Sequence, residues 1–386
     1  MKRLILGILA VVLGAIPVAG QNLEDLNIQI HGYATQGFLY TTNNNILTTN
    51  SSNGSPAWTE AVVNVTAQPD PKLRVGIQAR YFILGNYGNA ITLDWAAADY
   101  KASDKFGVRF GKVKTPSGLF NEVQDIDPSY IWSLLPQGVY PIGSRNSLLA
   151  HYGGVVYGNL KLGEKAGKIE YRGWGGEMVI PSDDGYLLAQ REVGLNFPNG
   201  IYGPMLGAAL HWKTPLAGLM LGASDTKYMQ LKNTITAGNG ALSGTQTIES
   251  FNQPFYYAKY EKNKIMVAGE YSRLPIGLVV QFPVGPPSPL RSDTHSWYGM
   301  ASYKVTEKFT AGLYQSQSHN HGDPLGPGRY SKDWTVSGRY DFNQYLYAKA
   351  EQHFIDGTTL DYDMDMNPNG LKPDTRLTIL KIGVSF

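Results

Sequence analysis

Segments that alternate apolar and polar residues recur along this chain, and in several of them the polar face carries fixed charge. In "KLRVGIQARYF", Leu73, Val75, Ile77, Ala79 and Tyr81 share one parity, while Arg74, Gln78 and Arg80 share the other. A β-strand sends alternate side chains to opposite faces, so each segment has one greasy and one wet side. "KFGVRFGKV" sets Phe106, Val108 and Phe110 against Gly107, Arg109 and Gly111. "GKIEYRGW" sets Ile169 and Tyr171 against Lys168, Glu170 and Arg172, and "DWTVSGRYD" sets Trp334, Val336 and Tyr340 against Thr335, Ser337 and Arg339. A soluble sandwich would bury one face of each sheet, and burying charge on this scale is very costly. The polar face must meet water, and the apolar face must meet something that is not water.

Sixteen such segments can be read, near residues 27–39, 58–68, 72–82, 89–101, 105–113, 147–160, 167–175, 204–213, 217–228, 253–261, 264–273, 295–304, 308–317, 331–341, 344–354 and 375–386. The connections sort by length. "QPDPK", "ASDK", "GEKA", "TPLA", "EKNK", "VTEK" and "DFNQ" are tight and polar. Residues 40–57, 113–146, 176–203, 229–252, 274–294, 318–330 and 355–374 are long and rich in Gly, Asn, Pro and Ser, with a shorter connection at 83–88. Long and short alternate, as external loops and periplasmic turns do in outer-membrane barrels. Lipid offers no hydrogen bonds, so only helices or closed barrels span it. Beyond residue 20 the nearest helical candidate, "PIGLVVQFPVG", is interrupted by proline and far shorter than the ~20 residues a span needs. The expected fold is all-β: a sixteen-stranded antiparallel transmembrane β-barrel with short periplasmic turns and long extracellular loops. Sixteen strands enclose a water-filled lumen rather than a packed core.

The opening "MKRLILGILAVVLGAIPVAG" has two charges, an apolar run and small residues before Gln21, the order of a secretory signal peptide. Residues 1–20 are therefore expected to be cleaved near Gly20, leaving 21–386 as one barrel in the outer membrane. The leader holds two of the 33 basic residues and none of the 31 acids, so the remainder balances and gives no footing for nucleic-acid binding. With no cysteine, order must come from strand pairing rather than disulfides. No G-x-S-x-G, H-E-x-x-H or P-loop occurs, and His151, His211, His295 and His353 sit in no catalytic motif, so an enzyme is not expected.

The chain closes on "RLTILKIGVSF", which places Leu380, Ile382 and Val384 on the outer face, Lys381 in the pore and Phe386 at the periplasmic interface. This terminus, together with "VRFGKVKTPSGLF" and the opening "IHGYATQGFLYTTNN", resembles Gram-negative outer-membrane porins, and "FGKVKTPSGLFNE" is similar to porin-like families that include the phosphate-selective porins. The resemblance implies a homotrimer of barrels, a third loop folded inward, and Phe386 as the signal read by the barrel assembly machinery. Outer-membrane lipid and lipopolysaccharide would surround such a barrel, and small hydrophilic solutes would pass through it.

The longest connection, residues 113–146, is the third long loop, and it combines Glu122, Asp125 and Asp127 with the apolar run "YIWSLL". A solvated loop has no use for that run; the inner barrel wall would give it a surface to cover. Folded inward, the loop would set its acids across from basic wall residues and create a transverse field at a constriction. The candidate pore-lining set is Arg74, Arg80, Asp94, Arg109, Lys112, Glu122, Asp125, Asp127, Arg172 and Arg339. Glu170, Glu270, Glu351, Lys349 and Lys381 also share the lumenal parity, and the balance suggests a mild anion preference. The expected function is passive diffusion with charge sorting; the alternatives are a channel specific for phosphate, a dicarboxylate or a sugar, and, further off, a hydrolase or structural barrel. No cofactor is required. In the last loop "DYDMDMNPNG" spaces Asp361, Asp363 and Asp365 as hard oxygen ligands suited to calcium, and His319 and His321 form a weaker candidate for zinc or copper.

Overall fold

The computed structural model describes residues 26–386 apart from 86, 193, 361 and 363. The expected leader, residues 1–20, lies outside the described residues.

The chain runs through β1 (Gln29–Thr41), β2 (Ser55–Asp70), β3 (Leu73–Leu84), β4 (Tyr87–Ser103), β5 (Phe106–Lys114), β6 (Ala150–Gly163), β7 (Gly167–Ile180), β8 (Ile201–Lys213) and β9 (Leu219–Tyr228). It continues through β10 (Leu231–Ala237), β11 (Leu242–Ile248), β12 (Phe251–Lys262), β13 (Ile265–Gln281), β14 (Ser288–Lys304), β15 (Phe309–Asn320), β16 (Tyr330–Asp341), β17 (Leu346–Gly357) and β18 (Asp374–Ser385). Each wall strand pairs antiparallel with its neighbours, and β18 returns to β1 in a register from Tyr33↔Ser385 to Thr41↔Leu377, which closes the sheet. Phe386 extends this seam, because its amide and carbonyl exchange 3.0 Å hydrogen bonds with Gly32. Closure removes the last free edge, as lipid demands.

The wall has sixteen strands, since β9 pairs directly with β12, and each expected segment corresponds to one of them. The remaining two, β10 and β11, form a hairpin inside the connection expected as plain loop over residues 229–252. Its alternating Thr and Ile positions turn over Gly238, Asn239 and Gly240, all at positive φ, a hairpin chemistry the loop reading passed over. A second correction concerns residues 274–294. There β13 and β14 stay paired out to Val280↔Ser288, so the hairpin stands beyond the wall and only residues 282–287 turn. β-Branched Ile276, Val279 and Val280 favour the extended chain despite Pro275.

Outward positions carry an exposed apolar belt, including Phe38, Val63, Phe110, Leu210, Leu313, Val336, Leu380, Ile382 and Val384. Phe106, Phe309, Tyr345 and Phe386 are exposed near the short-turn end, as interfacial aromatics require. The inner face is not simply wet. Loops fold back onto it and bury three apolar clusters: the first loop's Ile46 and Leu47 against Trp58, Leu84 and Ile379; the third loop's Trp132, Leu135 and Val139 against Tyr298 and Tyr314; and Leu187 and Phe197 of the fourth loop, with the β10–β11 hairpin, against Trp174 and Met205.

Candidate functional site

The third loop, residues 115–149 and hereafter L3, leaves β5 and crosses the bore, ending in the short helix α1 (Arg145–Leu148). Its apolar run is what seats it. Trp132 is 1% exposed and packs edge-on to Tyr314 at 5.1 Å, and Leu134 and Leu135 are buried beside it. Outside its short helical turns L3 leaves amides without backbone partners, and here the wall supplies acceptors for several of them. Glu351 on β17 accepts from the amides of Ser133 (2.9 Å) and Leu134 (3.0 Å). Glu270 on β13 accepts from the Leu119 amide at 2.9 Å and from the hydroxyls of Tyr140 and Tyr298 at 2.6 and 2.8 Å. Ser224 on β9 accepts from the Gly118 amide at 2.9 Å. Gly118 itself sits at φ +69°, and a Cβ there would lie 2.7 Å from the Glu270 carboxylate, so the close approach needs glycine.

The three L3 acids go to three different stretches of wall. Asp127 is 2% exposed and lies between the ammonium groups of Lys349 (3.1 Å) and Lys381 (2.5 Å), with the Tyr347 hydroxyl donating at 2.7 Å. Burial alone would raise its pKa, but those two cations override burial and hold the carboxyl well below the usual carboxylate range. Asp125 is equally buried; Lys114 reaches it at 2.7 Å and the Gln78 amide donates to it at 2.8 Å. Glu122 differs. It is part exposed and bridges Arg109 at 3.5 Å and Arg172 at 3.4 Å.

The inner wall adds further pairs. Arg80 donates to Glu60 at 2.6 Å, and Arg145 at the end of L3 makes a two-pronged contact with Asp94, both prongs 2.9 Å. Burial works against the Arg145 charge, and the Asp94 carboxylate more than offsets it. Asp94 reaches this position because β4 bulges there: Gln78 pairs with Trp95 and Ala79 with Leu93, leaving Asp94 as the extra residue. Arg339 donates to the carbonyls of Pro128 and Tyr130 in L3 and pairs with Asp341. Burial also pushes the phenols of Tyr130 and Tyr140 upward, and the carboxylates of Asp127 and Glu270, respectively, add to it.

The expected set thus separates. Arg109, Glu122 and Arg172 meet in one cluster, Arg80, Asp94 and Asp125 lie in a second through Gln78 and Arg145, and Asp127 and Arg339 share Tyr347 in a third, the hydroxyl donating to Asp127 and the ring under Arg339. Asp125 and Asp127 are in contact with cations and shielded from water, so they anchor the loop instead of facing basic residues across an open gap. Arg74 is exposed, opposite Asp99 across the β3–β4 pair, and its guanidinium donates to the Thr66 hydroxyl at 3.4 Å. Lys112 departs from expectation. It shares the outward parity of Phe110, sits opposite Tyr152, and lies 5.6 Å over that ring. Alternation alone assigns it there, since Gly111 and Val113 take the inner positions. Lys114, Arg145 and Asp99 lie beyond the sequence reading, in which Gln78 appears only as a wall polar residue and His211 only as a histidine outside any motif; Asp99 reaches the lumenal face through the bulge at Asp94, and Lys114 and Arg145 lie where strand gives way to loop and parity lapses.

Clefts of about 390 and 420 Å³ flank L3. One is polar, with Glu60, Arg80, Arg145 and Lys381 around Trp58 and Tyr130. The other is mostly apolar, with Met178, Met205, Tyr228, Phe255 and Val139. Of the calcium candidates, Asp361 and Asp363 lie outside the described residues, and among the described residues no three His, Asp or Glu side chains are grouped to hold a metal. His319 faces outward, stacked between Trp297 and Tyr330 at 5.8 Å from each.

A closed sixteen-stranded barrel with a loop crossing its bore defines the porin fold. No family model and no curated protein matches the sequence. Solved structures share its fold: OmpF of Salmonella typhi in complex with daunomycin aligns with a TM-score of 0.55 at 15% identity, covering 95% of this chain and 99% of the other. The anion-selective porin of Comamonas acidovorans gives 0.53 at 10% identity over 93% and 99%. The trimer form of OmpT, an outer membrane protein of Vibrio cholerae, gives 0.55 at 12% over 93% and 99%. The fold of this chain is the fold of these proteins.

Proposed function

We propose that this protein is an outer-membrane channel through which small hydrophilic solutes diffuse passively, sorted by size and charge where L3 crosses the lumen. The observation that carries the reading is L3 itself: wall carboxylates on β13 and β17 and wall ammoniums on β17 and β18 clamp it inside a closed barrel whose outside is apolar. A loop held this firmly narrows a bore without plugging it at random, and no energy source or cofactor enters the mechanism. Beside the exposed part of L3, Arg74, Arg109 and Arg172 outnumber Asp99 and Glu122 by one, which supports a mild anion preference. Solute-specific rather than general passage is favoured by one observation: the first, fourth and fifth loops also bury apolar clusters inside the bore, so the free path is narrow.

The reading includes a homotrimer, in line with the trimeric neighbour, and assembly in the outer membrane with Phe386 as the recognition residue. Reconstitution in a planar bilayer tests it. Steady ohmic conductance with a reversal potential displaced towards the anion side of a salt gradient is expected; a barrel that inserts and conducts nothing would refute it.

A further inference from the structure

We propose that Arg109 and Arg172 form a carboxylate-binding clamp in the lumen, and that Glu122 of L3 is its resident, displaceable occupant. The proposal rests on the channel reading and names its solute class. Glu122 presents one oxygen to each guanidinium: Oε1 lies 3.5 Å from Arg109 Nη1, and Oε2 lies 3.4 Å from Arg172 Nε. Both contacts exceed the 2.7–2.9 Å of a well-made charge-assisted hydrogen bond, and all three side chains are a quarter to a third exposed. Water reaches the site, so a dissolved anion does too, and solvent screening weakens the hold on Glu122.

The clamp does not depend on Glu122 for its shape. Arg109 Nε donates to Asp99 at 3.0 Å, with the guanidinium 5.6 Å from the Tyr157 ring. Arg172 Nη1 donates to His211 Nδ1 at 2.8 Å; His211 therefore carries its proton on Nε2 and donates it to the Tyr257 hydroxyl at 2.7 Å. Each arginine is thus fixed from the wall side and offers its remaining N–H groups to the lumen, a preorganised pair. Nor would release of Glu122 free the loop, since Asp125, Asp127 and the amides on Glu270 and Glu351 stay in place. An entering carboxylate therefore takes over the two guanidinium contacts as Glu122 swings aside into water, with no covalent bond made or broken, and the lumen gains the solute's negative charge. A carboxylate reproduces what Glu122 does there, with the same two oxygens and the same single charge; phosphate brings a bulkier tetrahedral group and a larger charge.

Acetate and inorganic phosphate serve as probes on the full chain in a planar bilayer. Glu122→Gln is expected to lower the acetate concentration that halves the chloride current by about tenfold, the factor carried by one charge-assisted contact. Arg109→Gln and Arg172→Gln should raise it, in variants whose barrels still show heat-modifiable migration. An unchanged acetate response in Glu122→Gln overturns the clamp, and equal strengthening by phosphate overturns the carboxylate assignment. Broadening of the ¹³C-acetate resonance by the protein in detergent supplies a reading that needs no current. Broadening by Glu122→Gln but not by the double arginine variant, in a barrel that conducts nothing, keeps the clamp and refutes the channel. A conducting barrel with identical acetate response in every variant does the reverse.

Discussion

Asp127 and Glu122 lie five positions apart on the same loop, each between two basic residues, yet they do different work. Asp127 is sealed from water and held at 2.5 and 3.1 Å by two lysines; Glu122 is part exposed and held at 3.4 and 3.5 Å by two arginines. Burial decides the difference. A charge in low dielectric must keep its partners, because losing one leaves the others uncompensated. A charge that water can reach loses little when its partners let go. One loop can therefore be fixed at one acid and exchangeable at another.

The strongest way to break this contrast is to truncate the buried acid. Asp127→Ala leaves Lys349 and Lys381 facing each other without a counter-charge, and should cost about 3–5 kcal/mol. Unfolding of the detergent-solubilised barrel would register the loss, with L3 amides gaining exchange. The depressed carboxyl also has a pH consequence. Its stabilisation is fully present above the unfolded value of about 4 and is lost only as pH falls through the lower folded value, so the Asp127 anchor should outlast ordinary acid exposure. Equal losses for Asp127→Ala and Glu122→Ala would erase the distinction.

A middle case is Glu270, which accepts three neutral donors and makes no ion pair among the described residues. Glu270→Gln turns one acceptor into a donor facing donors, at a cost of about 1–3 kcal/mol. Loosening should be confined to the Leu119 and Phe120 amides, which pair with Glu270 and Tyr140, leaving Ser133 and Leu134, which hang from Glu351, protected from exchange. Loss of protection along the whole loop would show that L3 moves as a unit and that separate anchors are the wrong description.

Much of this fold was legible because alternation is a local property. The sixteen wall strands, the β18–β1 seam and the outward Leu380, Ile382 and Val384 all follow from parity, and "YIWSLL" announced that L3 needs a surface. Partner choice is not local. Nothing in "NEVQDIDP" says that Asp127 will reach lysines 222 and 254 positions away while Asp125 reaches back to Lys114. The bulge at Asp94 shifts the parity of β4 in mid-strand, which no alternation rule anticipates, whereas Lys112 and the β10–β11 hairpin carried readable local signals.

A buried acid held by an amide instead of a cation extends the comparison. Asp184 precedes the helix α2 (Gly185–Glu192) in the fourth loop and is 1% exposed, its Oδ1 accepting from the Tyr186 amide at 3.1 Å. Burial outweighs that amide and pushes its carboxyl up to about 6. A raised folded pKa means that the loop's docking is fully stable below the unfolded value of about 4 and weakens as pH rises through about 6. Amides of residues 185–192, corrected for intrinsic rates, should exchange about tenfold or more faster at neutral pH than near pH 4. Asp184→Asn should flatten the dependence; an Asp184→Asn variant with the same slope would place its origin elsewhere.

The smallest expected effect is the sharpest test of the contrast. Glu122→Gln keeps the shape of the side chain, removes its charge, and leaves Arg109 paired with Asp99 and Arg172 resting on His211. Because the arginines keep both water and wall partners, the change in barrel stability should stay within about 0.5–1 kcal/mol, below any loss from the buried anchors. Exchange of L3 amides should likewise be unchanged, while the reversal potential moves further towards anions because the lumen loses one negative charge. A destabilisation comparable to that of Asp127→Ala would mean that Glu122 is an anchor after all, bearing load that its long contacts and exposure do not reveal, and the loop would then have no exchangeable acid.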